Sequence, residues 1–129
     1  MPMTYHIDPR YNLVRTHALG VLTDEDIVGH KKRLAADPRF TPGMYELSDV
    51  RGVTDLRVTP EGIQALVEVD GSQSSKLQDY KLAIVAGQDL VFGLARTYGI
   101  LAQRHVPNIG VFRDDREAAE WLGVTLIDW

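Results

Sequence analysis

At 129 residues, with 44% apolar and 25% charged side chains, the chain has the length of one ordinary domain and the composition of one that folds around a core. A formal charge of -4, from 18 acidic and 14 basic residues, argues against sequence-independent binding to nucleic acid or to an anionic membrane, where Lys/Arg surfaces neutralise phosphates. The lack of cysteine excludes disulfides, thiolate nucleophiles and cysteine-held metals. The first residues lack the layout of a secretory leader and no apolar run is long enough to cross a bilayer, so the expectation is one cytoplasmic domain over 1–129 with no integral membrane segment.

Residues 4–8 and 12–22 are rich in β formers and flank Asp8-Pro9-Arg10-Tyr11, a turn sequence, which predicts a β-hairpin. Thr23 before Asp24-Glu25-Asp26 is a hydroxyl cap with carboxylates in the first turn, and helix one is expected to run to about Ala36, before Asp37-Pro38. On it, His30 shares a face with Ile27 and Leu34 at the edge of the core, whereas Lys31-Lys32-Arg33 reads as a solvated basic run. After the Pro42-Gly43 turn, Met44 to Ser48 predicts a short third strand and 49–55 a loop. Thr59 can cap helix two with Pro60 in its first turn, and Ile63, Leu66 and Val67 form its apolar stripe; residues 70–75 read as a flexible loop.

Lys81 to Ala86 is apolar on both alternating faces, as in a central strand covered on both sides, and Gly87 ends it. Helix three, from about Asp89 to Arg104, carries Leu90, Leu94, Tyr98 and Leu101 on one stripe and Val91, Phe92, Ala95 and Ile100 on others. A helix with so narrow a polar face is buried on more than one side, with the sheet on one and either a partner subunit, helix four or the C-terminal tail on the other. Ala95 and Gly99, small and four apart, would let another helix approach closely. Residues 109–113 predict a last strand, Asp114 with Glu117 opens helix four, Ala118, Trp121 and Leu122 face inward, and Gly123 closes it. The apolar end, 124–129, is expected to pack back as an edge strand or to reach across a dimer interface. The sum is an α/β domain: a mixed, mostly parallel five-stranded sheet, hairpin first and βα repeats after, with about four helices.

The four histidines, His6, His17, His30 and His105, show no metal-holding spacing, so no metal site is expected. Nucleophile-elbow and Ser-x-x-Lys patterns are missing, and Gly87-Gln88-Asp89 lacks the further glycines of a phosphate-cradling turn. Asp114-Asp115 are adjacent and serve a helix start better than acid/base work. A binding role is therefore expected ahead of a catalytic one, with no cofactor. Ligands of parallel sheets sit beyond the carboxyl ends of the strands, which would gather Asp49, Arg51, Gln88, Asp89, Arg113 and Asp114. The competing reading pairs Asp49 with Arg113, or Asp114 with Arg51, as ordinary rim ion pairs.

Glu46-Leu47-Ser48-Asp49-Val50-Arg51 followed by Thr59-Pro60-Glu61-Gly62-Ile63-Gln64-Ala65-Leu66 resembles the strand-loop-helix of STAS domains, the anti-sigma-factor-antagonist-like modules. Val111-Phe112-Arg113-Asp114 with Glu117-Ala118-Ala119-Glu120-Trp121-Leu122 is similar to the end of small bacterial SpoIIAA-like proteins, related in fold to CRAL/TRIO lipid carriers. The resemblance implies a SpoIIAA-like superhelix and a regulatory or apolar-ligand role. Aligning the helix-opening glycine with Gly62 puts Pro60, which cannot be phosphorylated, at the phosphoacceptor position of the STAS switches, and Thr59 beside it reads as a cap. Two roles follow as expectations. One is a self-associating, dimeric interaction module, with a possible protein partner, that makes contact through helices two and three. The other is a carrier or sensor of a small lipid-like ligand between helix three and the sheet. Phe92, Leu94, Ala95, Tyr98, Gly99 and Trp121 are the apolar candidates for that pocket or interface.

Overall fold

The computed structural model describes residues 2–73 and 75–125. Nine elements follow one another: β1 (Met3–Asp8), β2 (Leu13–Thr23), α1 (Asp24–Ala36), β3 (Tyr45–Arg57), α2 (Pro60–Ser72), β4 (Lys81–Val85), α3 (Asp89–Leu101), β5 (Asn108–Phe112) and α4 (Asp115–Leu122). The strands form one sheet in the order β1-β2-β3-β4-β5, antiparallel in the opening hairpin and parallel thereafter, as the alternation of strand and helix requires.

Side chains on a strand alternate between faces, and here that alternation divides the core in two. Val14, Leu82 and Ile84 point to the face covered by α1, α2 and α3, where they join Leu34, Leu66, Val67, Val91 and Tyr98. Leu13, Leu47, Ala83 and Val85 point the other way and meet Ala118 and Leu122 of α4. Trp121 belongs to this second layer, with its ring 5.6 Å from that of Phe112.

Four expectations are corrected, one of them the loop over 70–75, since α2 runs to Ser72 and Asp70 is fully buried. The third strand does not stop at Ser48 but continues to Arg57, because the 11-residue β2 extends beyond its partner β1 and its residues 19–23 pair with 52–57. Helix three ends at Leu101 instead of Arg104: the capping residue Ala102 is fully buried, and after it the Gln103 and His105 amides bond carbonyls three residues back, at Ile100 and Ala102, instead of four. The basic run on α1 divides, since Lys32 and Arg33 are exposed while Lys31 is turned into the protein at 6% exposure. Of the apolar end, Val124 packs beside α4, and 126–129 lie outside the described residues.

Helices α1 and α2 are joined at their first turns. Thr59 caps α2 by accepting from the Gly62 amide at 3.1 Å, and the Asp24 carboxylate accepts from the Thr59 amide at 2.8 Å and from its hydroxyl. The Asp24 carboxylate comes so near that a β-carbon on Gly62 would lie 1.9 Å from Asp24 Oδ1. Gly62→Ala should therefore destabilise by about 1–3 kcal/mol through overpacking. In an Asp24→Gly background, which also removes the Asp24 β-carbon at 2.8 Å, the same change should cost nothing or stabilise by up to about 1 kcal/mol, as Ala is the better helix former. Urea titration of the four proteins measures the cycle.

Candidate functional site

A cavity of about 110 Å³ lies between the sheet and α1, α2 and α3. Most of its wall is hydrocarbon, from Leu22, Ile63, Leu66, Leu82, Ile84 and Leu94, and its polar part comes from His30, Lys31, Glu46, Ser48 and Tyr98. Local periodicity places the polar residues there. Glu46, Ser48 and Val50 alternate with Leu47 along β3 and so face the helices, and His30 and Lys31 follow Ile27 by three and four positions on α1.

Two carboxylates organise this polar end. Glu46 is 2% exposed; its Oε2 accepts from Thr16 Oγ1 at 2.7 Å and lies 3.2 Å from His30 Nε2, while its Oε1 accepts from the Tyr80 hydroxyl. Burial alone would raise the Glu46 pKa, but the hydrogen bond and charge of His30, the Lys31 ammonium and the Tyr80 hydroxyl outweigh it and hold the group down at about 2. Asp70, fully buried near the end of α2, accepts from the Tyr98 hydroxyl and lies 3.2 Å from Lys31 Nζ. That ammonium also sits 5.2 Å above the Tyr80 ring. Burial, reinforced by the neighbouring carboxylates, raises both tyrosine hydroxyls well above their ordinary range, so both remain donors. The arrangement leaves Lys31 Nζ, Asp70 Oδ1 and His30 Nδ1 buried without a completed hydrogen bond.

The residues expected beyond the strand ends do gather, but as ion pairs with other partners than expected. Arg51 grips Asp49 at 3.0 and 2.8 Å and reaches Asp115 at 3.6 Å. Arg113 pairs with Asp89 at 2.9 Å, donates to the Gly87 carbonyl and covers the Phe92 ring at 4.1 Å. Gln88 donates to the Val53 carbonyl at 3.4 Å, and Asp114 caps α4 through the Glu117 amide. Neither the Asp49–Arg113 nor the Asp114–Arg51 pairing forms. These side chains satisfy one another on the surface, where such pairs contribute little.

Of the apolar candidates, Leu94, Ala95 and Tyr98 line the cavity. Phe92 and Gly99 instead border an outer groove between α3 and β5, and Trp121 is on the opposite side of the sheet. Gly99 is spoken for within the chain: a β-carbon there would lie 3.3 Å from Ile109 of β5, so the Ala95/Gly99 pair faces inward and not toward another helix. Among the described residues no group of His, Asp and Glu is placed to hold a metal, and no helix is long and apolar enough to cross a membrane.

Sequence reading did not single out Thr16, Glu46, Asp70 and Tyr80 for the site, and took Lys31 as solvated. A signal was present for three of them: Lys31 and Asp70 extend apolar helical stripes, at four residues beyond Ile27 and seven beyond Ile63, and Glu46 interrupts a strand with charge.

No protein-family model matches the chain, and no curated protein sequence resembles it. Among solved structures it is similar to an uncharacterised protein of the DUF3478 family from Shewanella loihica PV-4, described as having a SpoIIAA-like fold. The TM-score is 0.59, with 21% identity over 93% of each chain. The chain thus has a SpoIIAA-like fold, as the resemblance implied.

Because the folded Glu46 is held at about 2 against an ordinary 4.5, its contribution is fully present above about pH 4.5 and is lost as pH falls toward 2. The difference corresponds to on the order of 3 kcal/mol. The unfolding free energy should accordingly decline between pH 5 and pH 2.5, and Glu46→Gln should flatten that decline. Urea titrations across this range decide; an unchanged slope in the variant contradicts the assignment.

Proposed function

We propose that this chain is a binding module for a small, mainly apolar molecule held in the cavity beneath α1, α2 and α3. The observation that carries the reading is the cavity itself, about 110 Å³ of space with a largely hydrocarbon wall and a polar cluster on one side. Protein interiors rarely hold voids much larger than a water molecule. The space is partly open to the surface, and an apolar occupant would take its hydrocarbon wall out of contact with water. An engineered apolar cavity of about 150 Å³ takes up benzene, so an occupant of roughly six to eight heavy atoms fits here and a long lipid chain does not.

A second reading rests on the outer face of α3, where Leu90, Ile100 and Leu101 are 69%, 70% and 50% exposed. Ile100 and Leu101 are adjacent and Leu90 lies about three turns away on the same helix; exposed apolar side chains favour association, and a second copy of the chain packed on this helix is the self-associating module expected from the sequence.

Benzene added to the protein should produce saturable shifts in amide NMR spectra, concentrated at Leu82, Ile84, Leu94 and Ala95. Ala95→Leu, which fills part of the space, should weaken binding at least tenfold. Shifts scattered over the surface, or none, refute the cavity reading. For the second reading, light scattering after size exclusion should give a dimer that Ile100→Glu returns to monomer; a monomer at millimolar concentration refutes it.

A further inference from the structure

The polar end of the cavity specifies what its occupant carries, an inference that rests on the cavity being a binding site. Glu46 is ionised, and an ionised carboxylate only accepts hydrogen bonds, so the 3.2 Å contact with His30 Nε2 requires a proton on that nitrogen. The other nitrogen, Nδ1, is buried with no partner; it accepts a hydrogen bond in a neutral ring and donates one in a charged ring. Lys31 offers the complement. Its ammonium has three donors and no acceptor, and at 3.2 Å from Asp70 Oδ1 it completes no hydrogen bond. Both residues line the cavity and are only 4% and 6% exposed, so bulk water does not satisfy them.

Few chemical groups suit this pair of needs. A carboxylic acid in its ionised form would bring a third anion beside Glu46 and Asp70, and burying a charge without full compensation is costly. An amine in its charged form would set a second cation against the Lys31 ammonium. A plain hydrocarbon would leave both nitrogens unsatisfied, at about 1–3 kcal/mol for each buried group. A hydroxyl has one proton to give and two lone pairs to receive, so it meets Nδ1 in either state of the ring while accepting from the Lys31 ammonium.

We propose that the cavity takes a small neutral alcohol or phenol, whose hydroxyl hydrogen-bonds His30 Nδ1 and accepts from Lys31 Nζ. Its hydrocarbon part fills the space between Leu66, Leu82, Ile84 and Leu94. The two nitrogens select for the hydroxyl, and the size of the cavity limits the carbon skeleton to about one six-membered ring, in line with the benzene-sized occupant of a comparable void.

Phenol and toluene test this directly, since they have nearly the same shape and differ by a hydroxyl in place of a methyl. In a cavity without polar partners toluene binds better, because the phenol hydroxyl loses its water contacts and gains nothing. Titration of the full chain with each compound should show phenol binding at least tenfold more tightly than toluene. Lys31→Met should remove that preference while leaving toluene binding in place; if the variant does not fold, the comparison on the unaltered chain decides alone. Toluene binding as tightly as phenol, or more tightly, overturns the hydroxyl assignment but leaves the apolar cavity as a binding site. Failure of both to bind up to their solubility overturns the binding site and this proposal together.

Discussion

Glu46 lies on the middle strand of the sheet, on the face toward the helices, and remains ionised there. Taking a carboxylate out of water costs several kcal/mol unless charged and hydrogen-bonded neighbours replace the water. Those neighbours come from β2 (Thr16), from α1 (His30) and from the segment leading into β4 (Tyr80), so satisfying one buried charge fixes the relative positions of three parts of the chain. Asp70 does the same one layer out, drawing Lys31 of α1 and Tyr98 of α3 to α2. Removing one partner of such a pair leaves the other charge buried and typically costs about 3–5 kcal/mol, whereas replacing the whole set with hydrocarbon can be neutral. The geometry of the three helices therefore depends on keeping every member.

The cavity follows from this lacing. Helices held by hydrogen bonds to fixed points cannot slide inward to close an apolar gap, because any shift that improves packing would break contacts with Glu46 or Asp70. The space beside the polar cluster is thus a consequence of where the charges sit. The opposite face of the sheet has no such constraint: Leu47, Ala83 and Val85 meet Ala118 and Leu122 in a purely apolar layer. At the rim, Asp8–Arg10, Asp37–Arg39, Asp49–Arg51 and Asp55–Arg57 are all pairs two residues apart that close on themselves. Asp37 is held well below the ordinary carboxylate range by Arg39 and the Tyr5 hydroxyl, yet none of these pairs lines the cavity.

Much of the fold was legible in the sequence because it rests on short-range rules. Thr23, Thr59 and Asp114 cap helices with their side chains as expected, Gly123 closes α4 in the left-handed conformation, and the two-sided apolar run 81–86 gives the inner strand β4. The extension of β3 to Arg57 was not legible, since it depends on the length of β2 and not on the Gly- and Asp-rich residues themselves. The site was legible only in part. Leu94, Ala95 and Tyr98 followed from helical spacing, but Trp121 was assigned to the wrong side because nothing in sequence fixes which face of the sheet α4 covers. The cluster around Glu46 escaped because charged residues in a strand or a basic run usually mark solvent, and only tertiary pairing turns them inward.

The account stands on an ionised Glu46 that receives a proton-bearing nitrogen from His30. Imidazole ¹⁵N NMR of the folded protein at neutral pH reads that proton without altering a residue. The account predicts that His30 Nε2 carries the shift and one-bond coupling of a protonated nitrogen. A bare Nε2 would mean that the buried carboxylate does not collect donors in this way, and would contradict it.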